Sequence, residues 1–291
     1  MKIEELALSF VPNLEPRAIV HLLELFGDAG AIYACSEAEL VSRAGLRADI
    51  ARSIASGTGL DAAAKELKHC ESEGVTVLCA SQEGYPNRLR YTSDYPHIIY
   101  MVGDVSLADS PSVISLVGER ESMSSYANKM VLRTIEQLAD LMPEVVIVGM
   151  LEGAVDGLAL RYAVNCGMRA IGVATVPLAQ MTVESGRHLA TEILEAGGAI
   201  VSQVGVMSAA DRDIYSASER IVAGMCDAMV IVECGQMLDI ARCADSYGRT
   251  LCAVPGRATD SMSWGANRMI ASGLAQMVCT GRDIAEILEQ S

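Results

Sequence analysis

Three glycine-containing loops carry the residues of this sequence that are best suited to bind an anion. In the first loop, within "LVGERESMSS", Gly118 ends an apolar stretch, and Arg120 and Ser122 follow it. Main-chain amides at the start of a helix, together with the planar guanidinium of an arginine, suit a phosphate oxygen. A single glycine is nevertheless weaker than the G-x-G-x-x-G pattern of a dinucleotide site.

The second loop, "VVIVGMLEGAVDGLA", contains Gly149, Gly153 and Asp156, and it also places Glu152 between the two glycines. An apolar strand, a glycine turn and a helix are how many phosphate sites begin. A carboxylate within such a turn opposes an anionic ligand. The loop therefore has the shape of an anion site and the wrong charge at one position.

The third loop, "VECGQMLDIA", contains Glu233 and Gly235. Asp156 and Glu233 are interpreted as capping or loop-bracing acids rather than as a catalytic pair. The sequence has no G-x-S-x-G, no P-loop and no histidine within a candidate triad. Each loop alone has the composition of an ordinary turn. If the three loops lie together at one edge of a sheet, they predict an anion-binding groove that has no catalytic residues.

The elements that must position these loops alternate between apolar strands and helices from residue 110 onward. The predicted strands cover residues 112–118, 145–149, 170–174, 199–202, 228–233, 250–256 and 276–281. Strands that are apolar throughout and alternate with helices predict an α/β fold with a parallel sheet covered on both faces. The domain is thus Rossmann-like, and its ligands belong beyond the carboxyl ends of the strands. In "YANKMVLRTIEQLADL" the expected inner face comprises Tyr126, Met130, Leu138 and Leu141.

Residues 1–74 form short amphipathic segments and predict a small all-helical domain of the SAM or helix-hairpin-helix kind with its own core. Gly27 and Gly45 are expected to end helices, and Ser36 to cap one. Residues 75–109, with two Tyr-Pro steps, are expected to be a linker and a first strand packing on the next domain. Residues 110–291 form the Rossmann-like domain.

Composition limits the function classes. Hydrophobic residues make up 51% and charged residues 20% of the 291 residues, which is typical of a globular protein. The net charge of −15 argues against strong, nonspecific binding of nucleic acid through a basic face. Both halves are acidic, with nine basic against 16 acidic residues in 1–109 and 13 against 21 in 110–291. No spanning apolar run or signal peptide is found, so the expected location is cytoplasmic, without a membrane partner.

Nine cysteines lie mostly in apolar runs and form no C-x-x-C pair. They are interpreted as small buried hydrophobes in a reducing compartment. The four histidines show no ligand spacing relative to the cysteines, so no metal and no cofactor is expected. His97 and His188 are expected at the surface or on helices.

An ordered series of segments resembles the DNA-processing protein A (DprA, or Smf) family over nearly the whole chain. The segments are "YPNRLRYTSDYPHIIYMVGD", "SLVGERESMSSYA", "VGMLEGAVDGLA", "SERIVAGMCDAMVIVE" and "CAVPGRATDSMSWGANRMIASGLAQMV". The resemblance implies a non-enzymatic protein that binds single-stranded DNA as a homodimer and loads a RecA-type recombinase during natural transformation. By position, it implies that Arg120 meets phosphate, that Tyr215 stacks on a base, and that Arg220 is the family's second arginine.

The departures from the family pattern fall on the anion-binding loops. Glu119 replaces a serine, Glu152 a basic residue and Glu219 an asparagine, and the loop after Glu233 is about three residues short. Each exchange of a cation for an anion near a phosphate costs about 1–3 kcal/mol. Three glutamates in one groove therefore predict weakened DNA binding.

Two alternatives remain open at this point. One is an interaction scaffold that keeps its partner surfaces and has lost the ligand. The other is a nucleotide-binding enzyme similar to phosphoribohydrolases, whose Pro-Gly-Gly-x-Gly-Thr loop has only "VPGRAT" as a counterpart here.

Overall fold

The structure is a computed structural model that describes residues 3–178, 184–206 and 214–290. The N-terminal part is helical, as predicted. Its helices are α1 (Ile3–Leu8), α2 (Pro16–Phe26), α3 (Ala29–Ala34), α4 (Glu37–Ala44), α5 (Ala48–Ala55) and α6 (Leu60–Ser72). Leu22, Ile32 and Ile54 are fully buried in a core formed by α1 to α5, whereas the buried residues of α6 pack against the first residues of the sheet instead.

The predicted helix ends in this region are confirmed. Gly27 follows α2 with φ 91°, and Gly45 follows α4 with φ 66°, a left-handed conformation that favours glycine. Ser36 caps α4 in a capping box with Glu39, in which each side chain binds the other residue's main-chain amide.

Residues 75–109 form two strands that join the main sheet, which is more structure than the expected linker. Strand β1 (Thr76–Cys79) pairs antiparallel with β2 (Ile98–Gly103), and β2 pairs antiparallel with a later strand at 199–202. A short helix, α7 (Asn87–Arg90), lies between them. The buried Tyr85 hydroxyl donates to the Pro96 carbonyl oxygen at 2.5 Å, so the two Tyr-Pro steps hold this connection together.

All seven predicted strands of the α/β region are present. They are β3 (Val113–Gly118), β4 (Val146–Met150), β5 (Ala170–Val173), β6 (Ala199–Ser202), β7 (Ala228–Glu233), β8 (Thr250–Ala253) and β9 (Gln276–Met277). The sheet has the order β1-β2-β6-β5-β4-β3-β7-β8-β9, and β3 to β9 run parallel. Strand β8 is shorter than predicted because Pro255 follows it and lacks a main-chain donor.

Helices cover both faces of the sheet, as the apolar strands predicted. They are α8 (Ser125–Leu141), α9 (Ala154–Asn165), α10 (Glu184–Glu195), α11 (Ile214–Met225), α12 (Asp239–Ser246), α13 (Trp264–Ala271) and α14 (Gly281–Glu289). One core lies under α8, α9, α10 and α14, and the other under α11, α12 and α13. Along β3, Val113 and Val117 enter one core, whereas Ile114 and Leu116 enter the other.

The expected inner face of α8 is confirmed for Met130 and Leu138, which pack into the core, and is wrong for Tyr126 and Leu141. Tyr126 and Leu141 are 41% and 44% exposed, whereas Val131 and Leu138 are fully buried. The inner face begins at Ala127, whose four-residue spacing to Val131 continues the helical repeat. The exposed Tyr126 hydroxyl instead donates to the Pro255 carbonyl oxygen at 2.7 Å.

Of the two histidines expected at the surface or on helices, one lies as predicted. His188 lies exposed on α10. His97, expected at the surface, is only 3% exposed. The Ala80 amide donates to the His97 carbonyl oxygen at 2.8 Å, so the pairing of β1 with β2 draws His97 into the interior.

The strand order reverses between β3 and β7, because the chain moves outward from β3 to β6 and then returns to the other side of β3. In open parallel sheets the crevice at such a reversal is the usual ligand site. Among the described helices, none is both long and apolar enough to cross a lipid bilayer.

Candidate nucleic-acid interface

A cavity of about 250 Å³ lies at this reversal point, beyond the carboxyl ends of β3, β4 and β7. The predicted site residues in its lining are Gly118, Glu119, Arg120, Asp156 and Tyr215, and Glu219 joins them. The residues 236–240 and Arg242 close the opposite wall. Four separate parts of the chain are therefore brought together here.

Arg120 and Tyr215 form the centre of the cavity wall. The Arg120 guanidinium carbon lies 3.6 Å from the centroid of the Tyr215 ring, which is a close cation–π contact. Burial raises the pKa of the Tyr215 phenol, and the carboxylates of Asp156 and Glu219 raise it further. The ring is therefore neutral at physiological pH and offers an aromatic surface that an exposed arginine covers.

Gly118 allows the loop that carries Arg120 to approach helix α9. A methyl group on Gly118 would lie 2.5 Å from Cγ2 of Val155 and 3.1 Å from the Glu233 carbonyl oxygen. Contacts below 3.0 Å are not tolerated, so only glycine fits between β7 and α9 at this position.

Asp156 is the buried acid of the cavity. It is 3% exposed and occupies the third position of α9, where its Oδ1 accepts a hydrogen bond from the Met150 amide at 3.3 Å. Burial is the main cause that raises the pKa of this carboxyl to about 7. Asp156 is therefore partly protonated at neutral pH.

Gly149 and Gly153 pack against Asp156 and do not line the cavity. A methyl group on Gly149 would lie 3.2 Å from Cβ of Asp156, and one on Gly153 would lie 2.9 Å from its Oδ2. The two glycines make room for the acid. Both glycines therefore lie behind the wall of the groove and not at its surface.

Two glutamates already occupy main-chain amides that an anion would use. Oε1 of Glu119 accepts a hydrogen bond from the Gly235 amide at 2.9 Å. Oε2 of the buried Glu233 accepts one from the Ser124 amide at 3.0 Å, at the N-cap of α8. At the start of α8, the Ser124 amide is thus occupied by Glu233 and the Ala127 amide by the Ser124 hydroxyl, and Ser122 is exposed outside the cavity lining.

The expectation of three glutamates in one groove is wrong for Glu152. Glu119 and Glu219 line the cavity, but Glu152 accepts a hydrogen bond from the Thr175 hydroxyl and lines a neighbouring, much smaller pocket. Burial and the nearby Asp239 raise the pKa of the Glu219 carboxyl, and Arg120 opposes them. Of the three glutamates that depart from the family pattern, two therefore border the groove.

Arg220 lies outside the cavity lining. Its Nη1 is 3.3 Å from Oδ2 of Asp94, and the Tyr247 hydroxyl donates to the other oxygen of Asp94. Together with Pro16 and Arg17 it lines a separate pocket beside the N-terminal helices. Arg220 therefore lies where the N-terminal helices meet the α/β part of the fold.

The sequence reasoning missed Arg242, which is the second arginine of the cavity. Its Nε lies 3.6 Å from Oδ1 of Asp239, one helical turn earlier in α12. The signal was the position of the "DIAR" segment immediately after the loop that follows β7. The first turn of a helix at the carboxyl edge faces the ligand crevice.

Comparisons with known proteins agree with this architecture. The chain is 29% identical over 218 residues to Protein Smf of Escherichia coli, covering 73% of this chain and 56% of that protein, little more than half its length. It is 27% identical over 204 residues to the DNA processing protein DprA of Streptococcus pneumoniae, covering 69% of this chain and 70% of that one.

Two solved structures share the fold. The DprA structure from Streptococcus pneumoniae superposes with a TM-score of 0.81 at 22% identity and covers 98% of each chain. That of DNA processing protein A from Helicobacter pylori has a TM-score of 0.63 at 23% identity and covers 74% of this chain and 96% of its own. The model of the family described as DNA recombination-mediator protein A matches residues 76–289. This chain belongs to the DNA recombination-mediator protein A family.

Proposed function

We propose that this protein binds single-stranded DNA in the cavity at the reversal point of the sheet and acts in DNA processing and recombination as a binding protein rather than an enzyme. Family membership supports the process, and the Helicobacter pylori relative has a single-stranded DNA binding mode. The observation that carries the proposal is the Arg120 guanidinium on the Tyr215 ring within this cavity.

The pair can contact both parts of a nucleotide. A guanidinium binds phosphate through its planar edge, and a tyrosine ring stacks on a base at about 1–3 kcal/mol. Because Arg120 covers one face of Tyr215, a base can stack on that face only after the guanidinium turns outward toward a phosphate. Phosphate contact and base stacking are therefore coupled through the movement of one side chain.

Weakened binding is part of the proposal. Glu119, Glu219 and Asp239 border the same cavity as Arg120 and Arg242, and the whole chain has a net charge of −15. Repulsion between these carboxylates and phosphate reduces affinity, and Glu119 also occupies the Gly235 amide, to which a phosphate oxygen could otherwise bind. We expect affinity lower than that of a groove with basic loops, and a strong dependence on salt.

A binding role fits the chemistry of the cavity wall. The described residues that line it include no histidine, cysteine, serine or lysine. The homodimer and the RecA-type recombinase partner that the resemblance implied remain part of this proposal, with family membership as their support.

The test is fluorescence anisotropy of a labelled oligo-dT of a few tens of nucleotides, titrated at low salt and again with added salt. Wild-type protein should bind in a salt-sensitive manner, and Arg120→Ala should lose about tenfold or more in affinity. Arg47→Ala is the matched control, because Arg47 is an exposed arginine of the N-terminal helices that pairs with Asp49.

Two other results would overturn the proposal in different directions. A folded protein that binds no oligonucleotide yet retains a recombinase in a pull-down would be an interaction scaffold. Release of free base from a nucleoside monophosphate would make the protein an enzyme of the phosphoribohydrolase kind.

A further inference from the structure

A buried cluster at the edge of the sheet contains three side chains of different metal-binding chemistry. Glu5 of α1, Cys79 at the end of β1 and His97 just before β2 place one carboxylate oxygen, one sulfur and one ring nitrogen within 4.8 Å of one another. The three residues are buried, with exposed fractions of 7%, 0% and 3%. No sequence pattern indicated this convergence, because the three residues come from three separate elements.

His97 gives a second, independent indication. Among the described residues, neither of its buried ring nitrogens has a hydrogen-bond partner. Leaving a buried polar group without a partner costs about 1–3 kcal/mol, so such a group calls for an explanation. The closest charged atom is Oε1 of Glu5, 3.6 Å from Nε2 of His97.

From these observations we propose that Glu5, Cys79 and His97 form a Zn²⁺ site. Imidazole nitrogen, thiolate sulfur and carboxylate oxygen are the three ligand types that zinc accepts in proteins. In a tetrahedral site, sulfur and nitrogen ligands lie about 3.5 Å apart, so closure requires shifts of about 1 Å. The carboxylate and a thiolate together balance the two charges of the ion.

The surroundings support the carboxylate as a ligand. Nε2 of Gln82 donates to Oε2 of Glu5 at 3.1 Å, and the Ser81 hydroxyl donates to Oε1. Hydrogen bonds of this kind orient a metal-ligating carboxylate. On Zn²⁺ binding the Cys79 thiol gives up its proton to solvent, and the zinc–sulfur bond forms in the same step.

Another cavity lies beside His97 and leaves room for a fourth ligand. It has a volume of about 290 Å³ and lies between α2 and the start of the sheet, with His97, Ser81, Glu24 and Arg90 in its lining. Arg90 carries a positive charge, but its guanidinium is held by the carbonyl oxygens of Gln82 and Tyr85. A water molecule entering from this side would complete a four-coordinate site.

The consequence for the fold is a metal connection between α1 and the β1–β2 edge. The N-terminal helices and the sheet would then be joined by the ion as well as by packing. A ligand that binds only the folded state raises the thermal midpoint with its concentration.

The test uses the full-length protein, dialysed against chelator and titrated with ZnCl₂ and with CoCl₂. We expect one Zn²⁺ bound per chain by calorimetry, a rise in the thermal midpoint, and a thiolate-to-cobalt charge-transfer band with Co²⁺. Cys79→Ser and His97→Gln should lose the band and the rise. Circular dichroism checks that each variant is folded.

Cys70→Ser is the matched control. Cys70 is also a buried cysteine and lies in the same hydrophobic cluster as Cys79. The control should keep the cobalt band and the stoichiometry. A folded wild-type protein that binds no Zn²⁺, or a Cys79→Ser variant that binds it as tightly as wild type, would overturn the proposal.

Discussion

The Arg120 guanidinium lies over the Tyr215 ring with 3.6 Å between its central carbon and the ring centroid. Arg120 comes from the loop after β3, and Tyr215 from the start of α11, so the contact closes the cavity across the point where the sheet order reverses. The pair therefore links the two halves of the groove with one cation and one aromatic ring.

Substitutions of Tyr215 separate ring contacts from hydroxyl contacts. Tyr215→Phe keeps the ring and should bind oligo-dT within about twofold of wild type. Tyr215→Leu should lose about 1–3 kcal/mol of binding free energy, because it removes both the stacking surface and the support of Arg120. Anisotropy titrations at one fixed salt concentration measure both variants. Equal affinities of the two variants would contradict a role for the ring.

Removing a negative charge from the cavity should strengthen DNA binding. Glu219→Gln is expected to raise affinity by about fivefold, equivalent to about 1 kcal/mol, because this half-buried carboxylate lines the cavity beside Arg120. Glu152→Gln is the matched control with the same change of charge. Since Glu152 binds Thr175 outside the cavity lining, its effect should be smaller. A larger gain for Glu152→Gln would place the DNA elsewhere.

Asp156 should make stability depend on pH. Its folded pKa of about 7 lies above the ordinary aspartate value of 3.8, so the folded state holds a proton that the unfolded state releases. The free energy of unfolding should therefore fall as pH rises from about 4 to about 7, by up to about 4 kcal/mol. Urea denaturation at several pH values measures this. Asp156→Asn should remove the dependence, whereas Asp140→Asn, at an exposed position of α8, should keep it.

The same proton should affect DNA binding. Deprotonated Asp156 adds a negative charge to the cavity wall, so affinity for oligo-dT should decrease as pH rises through about 7. The Asp156→Asn variant should show a flatter profile. An unchanged profile in that variant would assign the pH dependence to another group.

Arg220→Ala should affect stability rather than DNA affinity. Arg220 and Asp94 have side chains that are 37% and 35% exposed, so their ion pair contributes at most about 1 kcal/mol. We expect a small decrease in the free energy of unfolding, measured in urea, and oligo-dT affinity within twofold of wild type. A loss of oligo-dT affinity as large as that of Arg120→Ala would show that Arg220 contributes to the binding site.

The α/β part of the fold was predictable because its strands are apolar without interruption. Ile147 and Ile231 are fully buried from both sides, and such runs have few other interpretations. Strands β1 and β2 were harder, because the segment between them contains turns and a short helix. Their pairing depends on a contact with β6 about a hundred residues later, which local pattern does not encode.

The sequence predicted which loops form the site, but not the direction in which each side chain points. Tyr215 and Glu219 are four residues apart on α11, so they share a face and both reach the cavity. Arg220 is one residue further and points about 100° away, toward Asp94. Resemblance by position could not show this difference, since it depends on how the helix is rotated against the sheet.

The Glu119 carboxylate accepts a hydrogen bond from the Gly235 amide and therefore competes with an anionic ligand for that amide. A carboxylate on a short connection has an effective local concentration in the millimolar range or above. Free inorganic phosphate at lower concentrations would not displace it. Only a polyanion that gains further contacts along its length could do so, and the loop therefore discriminates by the length of the ligand rather than by the charge of a single group.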